Sequence, residues 1–474
     1  MSDKKKNQIM SHPVTRRDML KTMATGSAAG FFGMALPGAL GGAPFSALPL
    51  APKRPNIVFI LSDNCRPDFM GFTVHPFIKT PAIDGLAAQG VSFDNAFCTT
   101  SLCSPSRASF LTGDYAHTHG VLNNHMPWTG QRKMFLERLK QAGYDTGFVG
   151  KFHMPGNGLP DLPFLDTFVS FDIKENQGQY FDCPLIVDGK PEASRKEYLI
   201  EELTDRAIDF IGQDHENPFC LYLSYKTAHF PFLPPKDLAG IYANEKVDLP
   251  PGADSWLGRT NGNVFEGTMV GSLDALYRRY GEAITGMDRE IGRLIKKIDS
   301  SPLADNTVVI YASDNGYMWG EHRIIGINWH YEESIRIPFV VRCPWLIPDP
   351  GTRRSQMMLN IDLAPTVLEM AGVPVPADVD GQSAVPILRD GGTPGRSAWF
   401  YEYYKYFPEN VPTMQGVRTR TRMYVEFEKG MRPQLFDLVR DPGEHVNLFG
   451  TAEGDRLVPG LKAMMKDLKA GKRL

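Results

Sequence analysis

Four short apolar runs, rich in β-branched and aromatic residues, constrain the fold more than any other feature of this chain. They cover residues 56–61, 146–149, 219–225 and 307–312. Continuous apolar runs of this length are typical of strands buried on both faces, as in a parallel sheet. Helical patterns lie between them, at residues 81–89, 134–142, 198–211 and 281–298. Strands that alternate with helices predict an α/β fold, with a large, mainly parallel sheet flanked by helices.

Polar residues follow each of the four runs. In chain order they are Asp63 and Asn64, Lys151 and His153, His229, and Asp314 and Asn315. Parallel strands present their carboxyl ends at one edge of a sheet, where α/β proteins bind ligands. The sequence therefore predicts that these residues share one site.

The pairs Asp63-Asn64 and Asp314-Asn315 offer hard oxygen ligands to a metal ion. Carboxylate and amide oxygens are the ligands that Ca²⁺ and Mg²⁺ prefer. A single aspartate of this kind is more typical of a turn or cap. Two Asp-Asn pairs at strand ends favour a divalent cation instead, which would polarise an anionic substrate.

The segment from Cys103 to Gly113 reads C-S-P-S-R-A-S-F-L-T-G. Pro105 suits the first turn of a helix and Gly113 suits its end. Residue 103 is therefore predicted at a helix N-terminus, where free N–H groups favour an anion. Arg107, one turn later, adds a fixed positive charge. A buried structural cysteine is the alternative, and the register of Arg107 with the Leu-Thr-Gly ending argues against it.

This segment resembles the signature of the formylglycine-dependent sulfatases, a family of the alkaline-phosphatase-like superfamily. The resemblance extends over residues 54–345, and its other matches are Arg54-Pro55-Asn56-Ile57, Gly150-Lys151-x-His153, His229 with Pro231, Ser313-Asp314-Asn315-Gly316, Gly320-Glu321-His322 and Tyr331-Glu332-Glu333-Ser334-x-Arg336-x-Pro338. It implies that a maturation enzyme oxidises Cys103 to an aldehyde, formylglycine. One hydroxyl of the aldehyde hydrate would attack the sulfur of a sulfate ester, and the other would expel sulfate as the aldehyde re-forms.

The resemblance also implies a role for each site residue. Arg107 would keep the nucleophile ionised, and His153 would orient or deprotonate the hydrate. Lys151 and His229 would contact the sulfate or protonate the leaving oxygen. The implied ligands of Ca²⁺, or of Mg²⁺, are Asp63, Asn64, residue 103, Asp314 and Asn315.

Two positions depart from the family pattern. The family commonly has an aspartate where Asn64 stands, so this metal site would carry one negative charge less. It often has a lysine five residues after Gly-Glu-His, where this chain has Ile327. That lysine usually grips the sulfate, and His322 and His330 are the nearest candidates to replace it.

The first fifty residues predict export rather than folded structure. Arg16-Arg17 lies in a basic region before an uncharged, only mildly apolar stretch at residues 22–50, which resembles a twin-arginine signal. We therefore expect the twin-arginine translocon as a partner and a periplasmic or secreted location, with an N-terminal membrane anchor as the alternative. The formal net charge of −3, with no basic run beyond this region, argues against nucleic acid as a partner.

The rest of the chain divides into a catalytic domain at residues 51–390 and a small α+β subdomain at 396–474, after the signal region at 1–50. A glycine-rich linker separates the last two. Strand patterns at residues 398–404, 416–419, 423–427 and 434–438 precede a helical pattern at 457–468. They predict an antiparallel sheet with a final helix. The six cysteines are too scattered for a disulfide framework or a zinc site, although one or two bridges remain an alternative.

These observations predict an exported sulfatase that acts on a sulfated carbohydrate, since exported bacterial members of the family commonly take sulfated glycans. Asn123, Asn124 and His125, just after the signature, are candidates to contact the sugar, and a purely structural loop is the equal alternative. There is some resemblance to the hexosamine 6-sulfatases. Two other functions stay open, a phosphonate monoester or phosphodiester hydrolase and a non-catalytic binder of sulfated glycans.

Overall fold

The structure is a computed structural model that describes residues 54–155, 158–172, 177–250, 272–407, 409–428 and 430–473. The predicted export signal at residues 1–50 lies outside the described residues. The strands are β1 (Asn56–Ser62), β2 (Val91–Phe97), β3 (Asp145–Gly150), β4 (Thr167–Ser170), β5 (Leu185–Val187), β6 (Lys190–Glu192), β7 (Phe219–Ser224), β8 (Thr307–Ser313), β9 (Met318–Trp319), β10 (Ile325–Gly326), β11 (Phe339–Arg342), β12 (Thr352–Leu359), β13 (Ala398–Tyr403), β14 (Met414–Thr419), β15 (Arg422–Phe427) and β16 (Gln434–Asp437).

Helices follow half of the twelve strands β1–β12. In chain order the α-helices are α1 (Pro81–Gln89), α2 (Cys103–Thr112), α3 (Ala116–His119), α4 (Phe135–Gln141), α5 (Leu199–Ile211), α6 (Leu273–Asp299), α7 (Glu332–Ile335), α8 (Leu363–Met370), α9 (Val385–Arg389) and α10 (Ala452–Lys469). The helices α1 and α5 pack against the long helix α6, whereas α2 and α4 pack against α8.

The four predicted strands lie side by side at the centre of a ten-stranded sheet of order β12-β2-β11-β8-β1-β7-β3-β4-β5-β6. The pairings of β1 with β8, β1 with β7 and β3 with β7 are all parallel. Their register places Ser62 opposite Ser313 and Gly150 opposite Ser224, so the four strands end at the same level. Every residue of β1, β7 and β8 is buried, as the continuous apolar runs predict. The predicted α/β fold is confirmed.

A second, four-stranded antiparallel sheet of order β13-β14-β15-β16 is present after residue 396, and the final helix α10 packs on β13 and β14. This sheet touches the segment that leads into α2. The Glu402 N–H donates to the Thr99 carbonyl at 3.1 Å, and the hydroxyls of Tyr401 and Ser101 lie 2.9 Å apart. The predicted sheet and helix are confirmed, whereas the domain boundaries stay predictions.

The sequence patterns missed six strands of the large sheet, namely β2, β4, β5, β6, β11 and β12. In β2 the polar pair Asp94-Asn95 interrupts the apolar run, and both residues are only half-buried. The strand β11 is antiparallel to both of its neighbours, so it breaks the regular strand–helix alternation on which the prediction relied. The helix α6 begins at Leu273, eight residues before the predicted start at residue 281.

All six cysteines are buried free thiols. No helix among the described residues is both long enough and apolar enough to cross a membrane.

Gly150 allows β3 to pass directly into the site, and we predict that this position tolerates no side chain. Its φ is 114°, and an added Cβ would lie 1.9 Å from the Ser224 carbonyl oxygen. Gly150→Ala should lower the free energy of unfolding by about 3 kcal/mol or more, measured by denaturant unfolding. Gly189→Ala is the matched control, because Gly189 has a φ of 77° with no atom within 4 Å and should cost only about 1 kcal/mol. Equal losses in the two variants would contradict the steric argument.

Candidate active site

The parallel strands bring the predicted polar residues together at their carboxyl ends. Asp63 and Asn64 directly follow β1, Lys151 follows β3, and Asp314 follows β8. All four side chains are buried. The backbone N–H of Asn64 donates to Asp314 Oδ1 at 2.9 Å, which ties the ends of β1 and β8 together. These four polar or charged groups inside the core need internal partners, because unpaired burial is costly.

The helix α2 begins at Cys103, as the sequence predicts, and all ten of its residues are buried although half of them are polar. Its hydroxyls explain this burial. Ser104 Oγ donates to the His153 carbonyl, and Ser106 Oγ donates to the Asp314 carbonyl at 2.6 Å. Gly113 ends the helix in the left-handed conformation, with φ of 82°. The first turn of α2 is thereby fixed against two of the strand ends.

Arg107 is the central cation of the site and is 1% exposed. Its Nε donates to Asp314 Oδ2 at 3.0 Å, and its Nη2 lies 3.2 Å from Asp63 Oδ2. Its Nη1 donates to the Lys151 carbonyl at 3.0 Å and to Ser224 Oγ at 2.6 Å. One guanidinium therefore contacts residues from the ends of β1, β3, β7 and β8.

The two carboxyl groups of the site have pKa values that are shifted in opposite directions. Burial alone would raise the pKa of Asp63, but the Lys151 ammonium, which donates to Asp63 Oδ2, and the Arg107 guanidinium hold it below its usual range. Burial and the nearby Asp63 carboxylate raise the pKa of Asp314 to about 6. The Lys151 ammonium also lies 3.3 Å from Gln177 Oε1. Asp63 is thus the permanently charged member of the pair.

Cys103 Sγ lies 3.7 Å from Asp63 Oδ1 and 3.9 Å from Asn64 Oδ1. Asp63, Cys103 and a ring nitrogen of His229 form a group whose ligand atoms are all within 4.8 Å of one another. The Asn315 amide nitrogen donates to Asn64 Oδ1 at 2.6 Å, while Asn315 Oδ1 is buried without a hydrogen-bond partner. The arrangement is a cluster that could hold a metal ion.

Two histidines of the site, His153 and His229, have pKa values that favour the neutral imidazole. Burial, reinforced by the Lys151 and Arg107 charges, lowers the pKa of His153 well below its usual value. Neither ring nitrogen of His153 has a hydrogen-bond partner among the described residues. Desolvation and the charges of Lys151 and Lys226 lower the pKa of His229 to about 3. His229 Nδ1 lies 2.8 Å from the Phe230 carbonyl, which favours a proton on Nδ1 and a lone pair on Nε2.

Comparison with known proteins places this arrangement in a family. The sequence profile of the sulfatase family matches residues 55–373, which cover every residue of the site described above. The chain is a member of the sulfatase family. A second profile, for the C-terminal part of N-sulphoglucosamine sulphohydrolase, matches residues 320–471. The predicted family and enzyme class are confirmed.

Two curated relatives match this sulfatase over most of their length. An N-acetylglucosamine-6-O-sulfatase of Bacteroides thetaiotaomicron is 29% identical, over 85% of this chain and 84% of the relative. An ulvan-active sulfatase of Formosa agariphila is 28% identical, over 87% of this chain and 81% of the relative. Two animal relatives are named extracellular sulfatases.

A solved structure confirms the sulfatase fold. It is described as a complex with its substrate, D-glucosamine-2-N,6-O-disulfate, and it matches with a TM-score of 0.80 at 28% identity. The match covers 88% of this chain and 98% of that one.

The loop after α3 lies close to Cys103. Asn124 Oδ1 accepts the backbone N–H of Ser104 at 3.0 Å, next to Cys103. Asn123 Oδ1 instead accepts the N–H of His125 and shapes the turn. The His125 ring packs on Tyr406, at 5.2 Å between centroids, and its Nε2 lies 3.0 Å from the Phe407 carbonyl. Asn124 and His125 therefore connect the first turn of α2 to the C-terminal part of the chain.

The two histidines named as candidates to replace the family lysine, His322 and His330, both lie in the segment from β9 to α7. The His322 ring stacks on Tyr331, with centroids 3.6 Å apart, and its Nε2 lies 3.8 Å from Glu333 Oε2. His330 is buried against Tyr331 and Phe436. Ile327 is 9% exposed, and the next residue's N–H donates to the Ser101 carbonyl, two residues before Cys103.

The sequence did not predict four side chains that surround this site, namely Gln177, Ser224, Lys226 and Asn360. Ser224 ends β7 and binds Arg107, so its place at a strand end was the available signal. Lys226 is 4% exposed, and its carbonyl accepts the His229 N–H at 2.9 Å. Its proximity to His229 in sequence was the signal there. Asn360 donates to Ser106 Oγ at 3.0 Å from a part of the chain without a recognisable motif.

Proposed function

We propose that this sulfatase hydrolyses a sulfate ester of a carbohydrate, with formylglycine at residue 103 as the nucleophile. The observation that carries the proposal is the position of Cys103 at the start of α2, within 4 Å of Asp63 and Asn64 oxygens and one turn before Arg107. Burial raises the pKa of the Cys103 thiol well above its usual value, so the unmodified residue would be a poor nucleophile. An aldehyde hydrate at this position supplies one hydroxyl to attack sulfur and a second to expel sulfate.

A hard dication fits the residues around position 103. The side chains of Asp63, Asn64, Asp314 and Asn315 offer only oxygen donors, which suit Ca²⁺ or Mg²⁺ and not a soft metal. The buried Asn315 Oδ1, which lacks a hydrogen-bond partner, supports the fit. The residues that would hold the ion are Asp63, Asn64, Asp314 and Asn315. When bound, the ion would stabilise negative charge on the hydrate and the sulfate.

The charges of the site would stay balanced when such an ion and a substrate bind together. Arg107 and Lys151 neutralise the carboxylates of Asp63 and Asp314. A sulfate monoester and an ionised hydroxyl bring two further negative charges, which a dication matches. Uncompensated buried charge is costly, so this balance favours the ionised hydrate at the moment of attack.

The protonation states of the neighbouring side chains indicate which of them would accept a proton and which would donate one. His153 is neutral, and both of its ring nitrogens are available, so it would accept the proton of the hydrate. His229 presents Nε2 as a lone pair and would receive a hydrogen bond from the substrate or the hydrate. Lys151 donates to Asp63 and Gln177, which orient its ammonium at the end of β3, where it would contact the sulfate or protonate the leaving oxygen.

Lys226 would perform the work of the lysine that the family often has at the position of Ile327. Its side chain is buried, and its Nζ lies 5.4 Å from the ring centroid of Tyr180, whose hydroxyl donates to the His229 carbonyl at 2.6 Å. Its charge contributes to the lowered pKa values of both His153 and His229, so the Lys226 ammonium lies within electrostatic range of both rings. A second ammonium there would grip the sulfate anion.

The relatives favour a sulfated amino sugar as the substrate. One relative is named as an N-acetylglucosamine-6-O-sulfatase, and the solved structure contains a 6-O-sulfated glucosamine. Asn124 and His125 would contact the sugar, and the hydrogen bond from the Ser104 N–H to Asn124, next to residue 103, supports this role.

Maturation of Cys103 would precede folding, and export would follow. The whole of α2 is buried, so a maturation enzyme could reach the segment only in the unfolded chain. The twin-arginine pathway carries folded proteins, which agrees with this order. Export to the periplasm or beyond rests on residues 1–50, which lie outside the described residues.

We predict that protein from a host with the maturation enzyme carries formylglycine at residue 103. Mass spectrometry of the peptide that contains residues 101–107 measures this. Cys98, also buried and free, is the internal control and should stay a thiol. Cys103→Ala should abolish hydrolysis of N-acetylglucosamine 6-sulfate and leave the circular dichroism spectrum unchanged. Unmodified thiol with full turnover would contradict the mechanism, and faster hydrolysis of phenyl phosphonate would favour the alternative substrate class.

We predict that one Ca²⁺ binds per chain and that Asp314→Ala removes it. The loss of one anionic ligand leaves too few charged oxygens to compete with water. Calorimetric titration of the chelator-treated protein measures binding directly and is independent of turnover. Asp305→Ala, an aspartate in the turn before β8, is the control and should bind normally. Undiminished Ca²⁺ binding by Asp314→Ala would refute the proposed ligand set.

We predict that Lys226→Met lowers kcat/KM on a sugar sulfate by about 10²–10⁴-fold, the range for loss of a positioned charged group or acid. Ile327→Lys alone should change turnover by less than about tenfold, because the anion is already held. In the variant that combines Lys226→Met with Ile327→Lys, the new ammonium, close to Ser101, should restore part of the lost kcat/KM.

Lys236→Met is the matched control for this series, because Lys236 belongs to the same connection after β7 but is paired with Glu197 at the surface. It should leave kcat/KM unchanged. A large gain from Ile327→Lys in the otherwise native chain would show instead that the lysine function has been lost.

A further inference from the structure

A second group of metal-ligating side chains lies outside the proposed active site. It consists of His322, Glu333 and Glu444, and we refer to it as the His322 cluster. One ligand atom from each lies within 4.8 Å of the other two, and the His322 Nε2 to Glu333 Oε2 distance is 3.8 Å. The three residues come from the turn after β9, from α7 and from the loop after β16. The cluster therefore joins segments that are far apart in sequence.

Two side chains of the His322 cluster, those of His322 and Glu444, are fixed through atoms other than the one that faces their neighbours. The His322 ring stacks on Tyr331 at an interplanar angle of 6°. Glu444 Oε2 accepts the backbone N–H of Glu332 at 2.8 Å. Outer contacts of this kind orient the ligands in protein metal sites.

The atoms that remain are buried and lack hydrogen-bond partners. They are His322 Nε2, Glu333 Oε2 and Glu444 Oε1. The Glu444 residue is only 2% exposed, and the His322 side chain is 9% exposed. Buried polar atoms are nearly always paired, so three free ones that face each other indicate a missing partner.

The neighbouring arginines do not contact these atoms directly. Glu321 pairs with Arg66 at 2.6 Å, and Glu332 pairs with Arg418 at 2.8 Å. Within the described part of the chain, no lysine or arginine forms an ion pair with Glu333 or Glu444. Two buried carboxyl groups beside an imidazole are thus left for a cation from solution.

We propose that the His322 cluster binds a zinc-type transition-metal dication, separate from the ion at residue 103. One imidazole nitrogen with two carboxylate oxygens is a ligand set of Zn²⁺, whose bonds of about 2.1 Å place ligand atoms about 3.4 Å apart. The spacing of the cluster needs only small side-chain movements to reach this value. The Glu333 side chain is 18% exposed, which gives the ion an entry route.

The bound ion would connect the C-terminal part of the chain to the segment that follows the Asp314-Asn315 ligands. His322 and Glu444 both have positive φ, of 53° and 52°, so the chain maintains an unfavourable backbone conformation at two of the three ligands. The expected role is to stabilise this connection rather than to take part in sulfate transfer.

The test is a Zn²⁺ titration of the chelator-treated full chain that carries Asp314→Ala, which removes competition from the first site. We expect one Zn²⁺ per chain by calorimetry. At about 100 times the Kd, Zn²⁺ should raise the Tm by about 3–5 °C. Anomalous scattering from crystals at the zinc edge should place the ion at the cluster.

Glu444→Gln keeps the shape of the side chain and its bond to the Glu332 N–H, and it should weaken Zn²⁺ binding at least tenfold. His322→Gln should do the same and serves if the first variant does not fold. His445→Gln is the matched control, since its ring lies 5.7 Å from His322 but outside the cluster. The proposal would be overturned if the parent chain did not bind Zn²⁺, or if both cluster variants bound it as tightly as the parent chain does. A proton shared by the two carboxyl groups would then be the explanation.

Discussion

The ion pairs of Arg107 with Asp63 and Asp314 are the interaction on which the rest of this site depends. Two aspartates follow adjacent parallel strands, so the fold forces their carboxylates together in the core. Without a cation between them, burial and mutual repulsion would oppose folding, and removal of one partner from such a network typically costs about 3–5 kcal/mol. The guanidinium can contact both because its donors form a planar fork.

The same requirement explains why a polar helix is buried at the centre of the protein. Arg107 can reach the two carboxylates only if α2 enters the core with its first turn against the strand ends. Ser104 and Ser106 make this possible, because their hydroxyls satisfy carbonyls that those ends leave open. The position of residue 103 beside Asp63 is therefore a consequence of how the charge of Arg107 is placed.

The C-terminal sheet supports the segment that leads into α2. Tyr401 and Glu402 of β13 hydrogen-bond to Ser101 and Thr99, which lead directly into α2. Helix α7 carries Glu332, which pairs with Arg418 of β14. A chain that ended at residue 390 would expose this segment to water, so the two sheets are coupled through the segment that leads into Cys103.

The sequence by itself determined the α/β class, the central strands and the residues at their ends, because buried parallel strands have a pattern that few other elements share. It also determined that residue 103 begins a helix, since Pro105 and Gly113 act locally. Only the tertiary structure decided how the cations of the site are paired. Lys226 and Ile327 are distant in sequence, and their relation to Cys103 depends on how β7 and the loop before α7 meet in space. Burial, and therefore the protonation state of His153, is likewise a property of the folded chain, because it follows from long-range packing and not from local pattern.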